Sequence, residues 1–98
     1  MNPYCVRYTP EAAGRIRKLH PEVKQEIREA IRGLLATPLT SHALQQELLG
    51  YRSSRVRTYR IIYRLNDDER TIDVVFVGQR RNVYEELLAL VQKPPPRN

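Results

Sequence analysis

The chain has 98 residues, which is enough for one small domain with a single modest core. Lys and Arg together number 17 against 11 Asp and Glu, so the formal charge of +6 indicates a polyanionic partner. One cysteine cannot form an internal disulfide, and no Cys/His grouping has metal-ligand spacing, so we expect a reducing compartment and neither metal nor cofactor. Without an apolar run that could form a signal peptide or span a bilayer, the sequence predicts a soluble cytoplasmic protein that does not bind membranes.

The N-terminal part of the chain predicts one strand and two helices. Residues 4–9 are rich in β-formers and suit a short strand. Thr9 and Pro10 then supply a helix cap and a first helical residue, and this helix should end near Leu19. After His20-Pro21, apolar residues recur at helical spacing and predict a second helix, with His20 as a linker residue. Together the two helices should form a hairpin.

The middle of the chain changes from a helical to a strand period after Gly50. Residues 37–50 carry loop signals, with one possible turn of helix at 43–49. Three strands are predicted at 52–57, 58–65 and 70–77, the last two joined by the acidic turn at 66–69. With the first strand, the sheet should have about four strands.

Alternation along these strands separates an apolar side from a basic side. Burying an unpaired arginine would destabilise the fold by roughly several kcal/mol. The apolar side should therefore form the core under the helix hairpin. Arg60 and Arg64 should then face outward across an open sheet, with Arg55 and Arg57 joining them on one common face. The predicted apolar stripe contains Tyr59, Ile61, Tyr63, Leu65, Ile72, Val74 and Phe76.

Gly78 to Asn82 should end the last strand and start a C-terminal helix with an apolar stripe. We therefore predict an α+β fold: a small antiparallel sheet of about four strands, an N-terminal two-helix hairpin packed on one face, and a C-terminal helix. Residues 1–92 should form this single domain. The Pro-rich segment 93–98 cannot continue the helix and should be a flexible tail.

Arginine is concentrated in one part of the chain. Residues 52–81 contain eight arginines against four acids, three of which share the hairpin turn. Taken singly, each arginine is most simply a solvated surface residue. Arg55 or Arg57, Arg60 and Arg80 nevertheless come from neighbouring strands or strand ends, and Tyr84 follows one helical turn later. Guanidinium groups beside an aromatic ring suit the phosphates and bases of a single-stranded nucleic acid.

Two stretches, Y59-R-I-I-Y63 and V77-G-Q-R-R-N-V-Y84, resemble motifs of the RelE/ParE toxin superfamily of bacterial type II toxin–antitoxin systems. The resemblance covers roughly residues 4–90. It implies a RelE-like fold and a toxin neutralised by a cognate antitoxin, in a complex that binds its own operator DNA through the antitoxin. For the RelE branch it implies a ribosome-dependent endonuclease that cuts mRNA in the A site, whereas ParE-like relatives inhibit DNA gyrase. The short helix hairpin favours the RelE branch.

Within this resemblance, three residues are candidates for catalysis. Metal-independent attack by a 2′-hydroxyl needs a base, cations for the charge on phosphorus, and an acid for the leaving oxygen. Arg60 would stabilise the phosphate, Arg80 would serve the leaving oxygen, and Tyr84 would stack on a base or take part in proton transfer. The predicted RNA- and phosphate-binding residues are Arg52, Arg55, Arg57, Arg64 and Arg81.

The base is open, because relatives carry lysines on the first strand of the antiparallel region and this chain has arginines, which are poor bases. Glu85 or Glu86 could serve, although solvent-facing positions suit them better, and His42 is taken as incidental. Two alternatives to RNA cleavage stay open: gyrase inhibition and a catalytically inactive antitoxin- or RNA-binding module. An acidic, partly disordered antitoxin segment should cover the basic face and bind beside the C-terminal helix.

Overall fold

The fold was analysed in a computed structural model, which describes residues 4–39 and 41–92. The strands are β1 (Cys5–Tyr8), β2 (His42–Ala43), β3 (Arg52–Val56), β4 (Tyr59–Asn66) and β5 (Thr71–Gln79). The α-helices are α1 (Pro10–Arg17), α2 (Pro21–Leu34) and α3 (Val83–Gln92), and Gln46–Leu48 form one 3₁₀ turn. The predicted tail at 93–98 lies outside the described residues.

The helices begin where the sequence signals predict. The Thr9 side chain accepts a hydrogen bond from the Ala12 amide, and Pro10 opens α1. His20 caps α2, with its Nδ1 accepting from the Glu22 amide at 3.2 Å, so this histidine is the helix cap of the hairpin. Among the described residues, no helix is long and apolar enough to cross a membrane.

The sheet has the order β1-β5-β4-β3-β2 and differs from the prediction in two ways. It has a fifth strand, β2, which at two residues is too short to leave a sequence pattern. It is also mixed, because β1 pairs with β5 in parallel while all other neighbours are antiparallel. The α+β fold with a helix hairpin and a C-terminal helix is confirmed.

Helices cover both faces of the sheet, which corrects the expectation of an open basic face. The residues Ile61, Ile62 and Tyr63 follow one another on β4 and are all fully buried. On one face lies the main core under α1 and α2; its buried members are Ala12, Ile16, Ile27, Ile31, Leu34, Ile61, Tyr63, Ile72, Val74 and Val77. On the other face, α3 completes a second core formed by Leu44, Ile62, Phe76, Val83 and Leu87. We call the latter the α3 face.

Phe76 belongs to the α3 face and not, as predicted, to the same side as Ile72 and Val74. The pairing of β4 with β5 shifts between Ile62 and Tyr63, so that Val75 has no partner on β4. This β-bulge reverses the alternation along β5. Phe76 is thereby turned against Ile62 and α3, and Val77 is turned into the main core.

Candidate nucleic-acid interface

Strand register places Arg60 in a row of residues at one end of the α3 face. Arg60 on β4 lies directly opposite Arg55 on β3 and Gly78 on β5. Directly opposite residues of antiparallel strands project from the same face, so Arg55 and Arg60 both lie on the α3 face, where Arg55 Nε donates to the Arg57 carbonyl at 3.4 Å. The prediction that these two arginines share a face is confirmed by this register.

Ser53 joins Arg60 to Tyr84 at the centre of this site. The Tyr84 hydroxyl donates a hydrogen bond to Ser53 Oγ at 3.1 Å, and Nη1 of Arg60 makes a longer contact of 3.5 Å with the same oxygen. Tyr84 is half-buried at the start of α3, whereas Ser53 is 1% exposed. A guanidinium and a phenol are therefore held against one buried hydroxyl.

The Nε–H group of Arg60 makes no hydrogen bond within the described residues, although it is buried. A buried donor without a partner is unfavourable for stability, and natural proteins keep few of them. Such a group in a cationic cluster is typical of a site selected for binding or catalysis instead of stability.

Gly78 lets α3 approach the row that contains Arg60. A Cβ atom at this position would lie 3.1 Å from the Phe76 ring, 3.2 Å from Val83 and 3.3 Å from a Glu86 carboxylate oxygen. These distances are tighter than ordinary van der Waals contact. Glycine therefore lets the start of α3, and with it Tyr84, lie close to the sheet without displacing these neighbours.

Arg80 and Arg81 lie in the turn between β5 and α3, away from Ser53. The Arg80 amide donates to the Thr58 carbonyl at 2.6 Å, which ties this turn to the β3–β4 hairpin. Both side chains are exposed, and with Thr58 and Gln79 they line a shallow groove. The structure brings them to the same end of the molecule as Arg60, and within the described residues neither side chain is hydrogen-bonded to Tyr84.

Arg57 does not share a face with Arg55, contrary to the prediction. It occupies the β3–β4 turn with a φ of 53°, which breaks the strand alternation at this point. Its guanidinium forms a double hydrogen bond with the Glu26 carboxylate of α2. That bond, together with the charge of Glu26, raises the pKa of Arg57. Arg57 thus connects the β3–β4 turn to α2.

Arg52 also lies apart from the other predicted phosphate-binding residues. It donates to the carbonyls of Leu39 and Ser41 at 3.0 and 2.7 Å and to Ser41 Oγ at 3.1 Å. Ser41 Oγ in turn contacts the Tyr63 hydroxyl, which donates to the Pro38 carbonyl at 2.7 Å. Arg52 therefore anchors the loop that follows α2.

Arg64 lies near the opposite end of the α3 face, where it pairs in register with Asp73. Its guanidinium carbon is 5.3 Å from the centre of the Tyr51 ring, within the range of a cation–π contact. It is four positions along β4 from Arg60, a distance of about 13 Å in an extended strand. Arg64 is thus not part of the Arg60 cluster.

Ser53 and His42 also lie at this candidate site; sequence reasoning missed the first and set the second aside. His42 lies directly opposite Ser53 in the β2–β3 pairing, and Leu44, two residues later, packs into the α3 face. Period-two alternation therefore places His42 on the α3 face as well, at its exposed edge. Ser53 alternates with Arg55 on β3, and this spacing was the signal available in the sequence.

The two glutamates considered as bases differ in their surroundings. The Glu86 carboxylate lies 3.5 Å from the Arg15 guanidinium of α1, at the edge of β5. Glu85 is exposed on α3. Within residues 4–39 and 41–92, no group of three or more His, Cys, Asp or Glu side chains could hold a metal ion.

Comparisons with known proteins agree with this architecture. The family described as "ParE toxin of type II toxin-antitoxin system, parDE" matches residues 6–84. Toxin RelG of Mycobacterium tuberculosis is 36% identical over 84 residues, which cover 84% of this chain and 97% of RelG. The toxin chain matched in the crystal structure of the M. tuberculosis complex RelBE2 superposes with a TM-score of 0.74 at 36% identity, covering 81% of this chain and 100% of that one.

A more distant structure shows the same fold. Escherichia coli toxin RelE, solved in the free state as a variant with two arginines changed to alanine, superposes with a TM-score of 0.76 at 19% identity. The superposition covers 95% of this chain and all of that one. From the family match over residues 6–84 and the identity to RelG, the chain belongs to the RelE/ParE superfamily of toxins of type II toxin–antitoxin systems.

Proposed function

We propose that this toxin is an mRNA interferase: a metal-independent endoribonuclease that cuts mRNA in the ribosomal A site and so inhibits translation. The observation that carries the proposal is the arrangement around Ser53, where Arg60 and Tyr84 contact one hydroxyl and Arg55 lies opposite Arg60. Two guanidinium groups can bind a phosphate, and a phenol beside them can contact the adjoining nucleotide.

The proposed reaction is an intramolecular transesterification, which needs proton transfers but no second substrate. The 2′-oxygen attacks the adjacent phosphorus, the bond from phosphorus to the 5′-oxygen breaks, and a 2′,3′-cyclic phosphate and a 5′-hydroxyl remain. Negative charge builds up on the phosphoryl oxygens in the transition state, and Arg60 stabilises it there with Arg55. The leaving 5′-oxygen takes its proton from water, and Arg80, at the same end of the molecule, stabilises the negative charge that develops on this oxygen.

The proton acceptor in this proposal is His42. Arginine remains charged at neutral pH and cannot act as the base, and Glu86 is paired with Arg15. An imidazole can accept a proton at neutral pH. His42 is supported by its position, because it lies on the α3 face directly across from Ser53, toward which the Arg60 guanidinium extends.

The partner of the proposed toxin is a cognate antitoxin with an acidic segment. RelBE2 of M. tuberculosis was solved as a toxin–antitoxin complex, and its toxin chain is 36% identical to this one. The charge of +6 favours an acidic segment, and Leu90 and Val91 leave apolar surface on α3. Operator binding by the complex would then be a property of the antitoxin.

Mapping transcript ends after brief induction of the toxin tests the proposal. We expect new ends within codons of translated messages, carrying 5′-hydroxyl groups, together with an arrest of translation. Purified toxin should produce the same ends on ribosomes programmed with mRNA. Intact transcripts together with double-strand DNA breaks would contradict the proposal and indicate gyrase inhibition instead. That alternative is consistent with the match to the ParE toxin family. Normal growth with intact transcripts would indicate an inactive binding module.

A further inference from the structure

We propose that Ser53 is a positioning residue of the toxin site, which holds the Tyr84 hydroxyl and the Arg60 guanidinium in the orientation that RNA cleavage requires. This inference rests on the proposed function. It assigns a role to a residue that neither binds substrate nor carries charge, and whose side chain is sealed from solvent between β3 and α3.

A serine is an unexpected choice at this point of the fold. Its direct neighbours in register are Ile62 on β4, an apolar residue of the second core, and the exposed His42 on β2. Burial of a hydroxyl in such surroundings is unfavourable unless hydrogen bonds compensate for the lost water. Alanine would fill nearly the same space without that cost. The hydroxyl at position 53 is therefore explained better by its partners than by packing.

Those partners are the two side chains that the proposed mechanism uses. A serine oxygen can accept two hydrogen bonds, and here it receives one from Tyr84 at 3.1 Å and a longer contact from Arg60 at 3.5 Å. The Tyr84 bond is the stronger one, because 3.5 Å is at the long limit for a hydrogen bond. Ser53 thus fixes the phenol firmly and limits the range of positions open to the guanidinium.

The position of Ser53 on a rigid element makes it suitable for this role. β3 pairs with β4 over five residues, and Tyr84 lies in the first turn of α3, which packs on the same face through Val83. Ser53 is therefore a polar link between β3 and α3. Small errors in placing catalytic groups lower reaction rates strongly.

Four proteins test the inference: Ser53→Ala, Tyr84→Phe, the double variant, and Ser54→Ala as the matched control. Ser54 is the neighbouring serine on β3, lies opposite Ile61, and projects toward the other face. The measurements are the single-turnover rate of mRNA cleavage and the dissociation constant, both on programmed ribosomes, and the folded fraction by thermal melting.

We expect Ser53→Ala to lower the single-turnover rate about tenfold, the equivalent of one ordinary hydrogen bond in the transition state, with binding to the programmed ribosome unchanged within about twofold. The double variant should be impaired less than the product of the two single losses, because part of the serine's effect passes through the tyrosine and the remainder through Arg60. Ser54→Ala should match the wild type. A fully additive double variant, or a loss confined to binding, would overturn the inference.

A spectroscopic arm separates this inference from the proposed function. In protein labelled with ¹³C at the hydroxyl-bearing carbon of tyrosine, Ser53→Ala should shift the Tyr84 resonance and leave those of Tyr8 and Tyr59 in place. An unmoved Tyr84 signal overturns the positioning role even in an active enzyme. If the wild type cuts no RNA, the proposed function fails on that result alone, and the resonance still reports whether Ser53 holds Tyr84.

Discussion

The guanidinium carbon of Arg15 lies 4.0 Å from the centre of the Phe76 ring, so that a residue of α1 covers an aromatic side chain of the α3 face. β1 pairs only with the first part of β5, and α1 follows β1, so Arg15 reaches around the unpaired edge of β5. There it also pairs with Glu11 at 2.7 Å and with Glu86 of α3 at 3.5 Å. Arg15 thus connects helices that pack on opposite faces of the sheet.

This connection predicts that Arg15→Ala loosens α3. We expect the free energy of unfolding to fall by about 1 kcal/mol, because a partly exposed cation–π contact and surface ion pairs are each worth little. Amide hydrogen exchange in α3 should accelerate more than in α2. The control is Arg17→Ala, an exposed arginine two residues later on the same helix. Equal effects of the two substitutions on α3 would show that Arg15 makes no special connection.

Arg60 and Arg57 form a matched pair for separating chemistry from stability. Arg60→Ala should lower mRNA cleavage about 100-fold or more, because it removes a preorganised cation from the phosphate, while thermal melting changes little. Arg57→Ala should leave cleavage intact and lower the melting temperature slightly, because it breaks the ion pair with Glu26. The rate of mRNA cleavage on programmed ribosomes measures the first effect, and thermal melting curves measure the second. Loss of cleavage in both variants without a melting change would restore Arg57 to the site.

Sequence reasoning placed Arg60 on the correct face of the sheet but misplaced Arg57, and the physical causes differ. The register of Arg60 follows from alternation within a strand, which side-chain geometry dictates. Arg57 leaves that alternation because its φ of 53° makes it a turn residue, and turn conformations of non-glycine residues leave little trace in a sequence. The starts of α1 and α2 were easier to predict, because the caps and spacing at Thr9, Pro10 and Pro21 are local signals.

The sequence did not indicate that α3 covers the face that carries Arg60, and the reason here is a different one. Whether a C-terminal helix returns to one face or the other depends on the turn after β5 and on the bulge at Val75, and neither has a sequence signature. Once Phe76 is turned to the α3 face, Ile62 has an apolar partner, and α3 covers both through Val83 and Leu87. The hydrogen bond from Tyr84 to Ser53 is visible only with α3 in place.

The base assignment predicts that His42→Ala lowers cleavage at neutral pH by about 100-fold, the lower range for loss of a general base. Added imidazole should restore part of the activity by supplying the missing proton acceptor. The control is His20→Asn, because asparagine also caps helices and His20 serves α2 only as a cap. Wild-type rates in His42→Ala, or a loss that imidazole does not restore, would assign the base elsewhere.

The close packing around Gly78 predicts that a larger residue at this position lowers both stability and activity. Gly78→Ala should lower the free energy of unfolding by about 1 kcal/mol, because the new methyl group meets the Phe76 ring and Val83 in a packed core. Displacement of α3 should also reduce cleavage by moving Tyr84. The matched control is Gly33→Ala in α2, where a Cβ meets nothing within 4 Å and helix propensity should raise stability by about 0.8 kcal/mol. Urea unfolding and single-turnover cleavage measure the two effects.

Asp73 predicts a dependence of stability on pH at the end of the sheet remote from Arg60. The Arg7 guanidinium donates two hydrogen bonds to the Asp73 carboxylate, at 3.0 and 3.2 Å, and lowers the pKa of that carboxyl. A carboxyl with a lower pKa in the folded state stabilises the protein above its unfolded value of about 3.9, and loses this effect as the pH falls through the folded value. The pairing of β1 with β5 should therefore weaken in acid.

Asp73→Asn tests this dependence, because the amide is uncharged at every pH. At pH 7 the variant should be less stable than the wild type. The difference should shrink as the pH falls below about 4, because Asp73 is protonated first in the unfolded chain and, at lower pH, in the folded protein. Urea unfolding at a series of pH values measures it. Asp68→Asn, an exposed acid of the β4–β5 turn, serves as the control for loss of one negative charge. A stability difference that stays constant from pH 7 to about pH 2.5 would mean that Arg7 does not lower the pKa of Asp73.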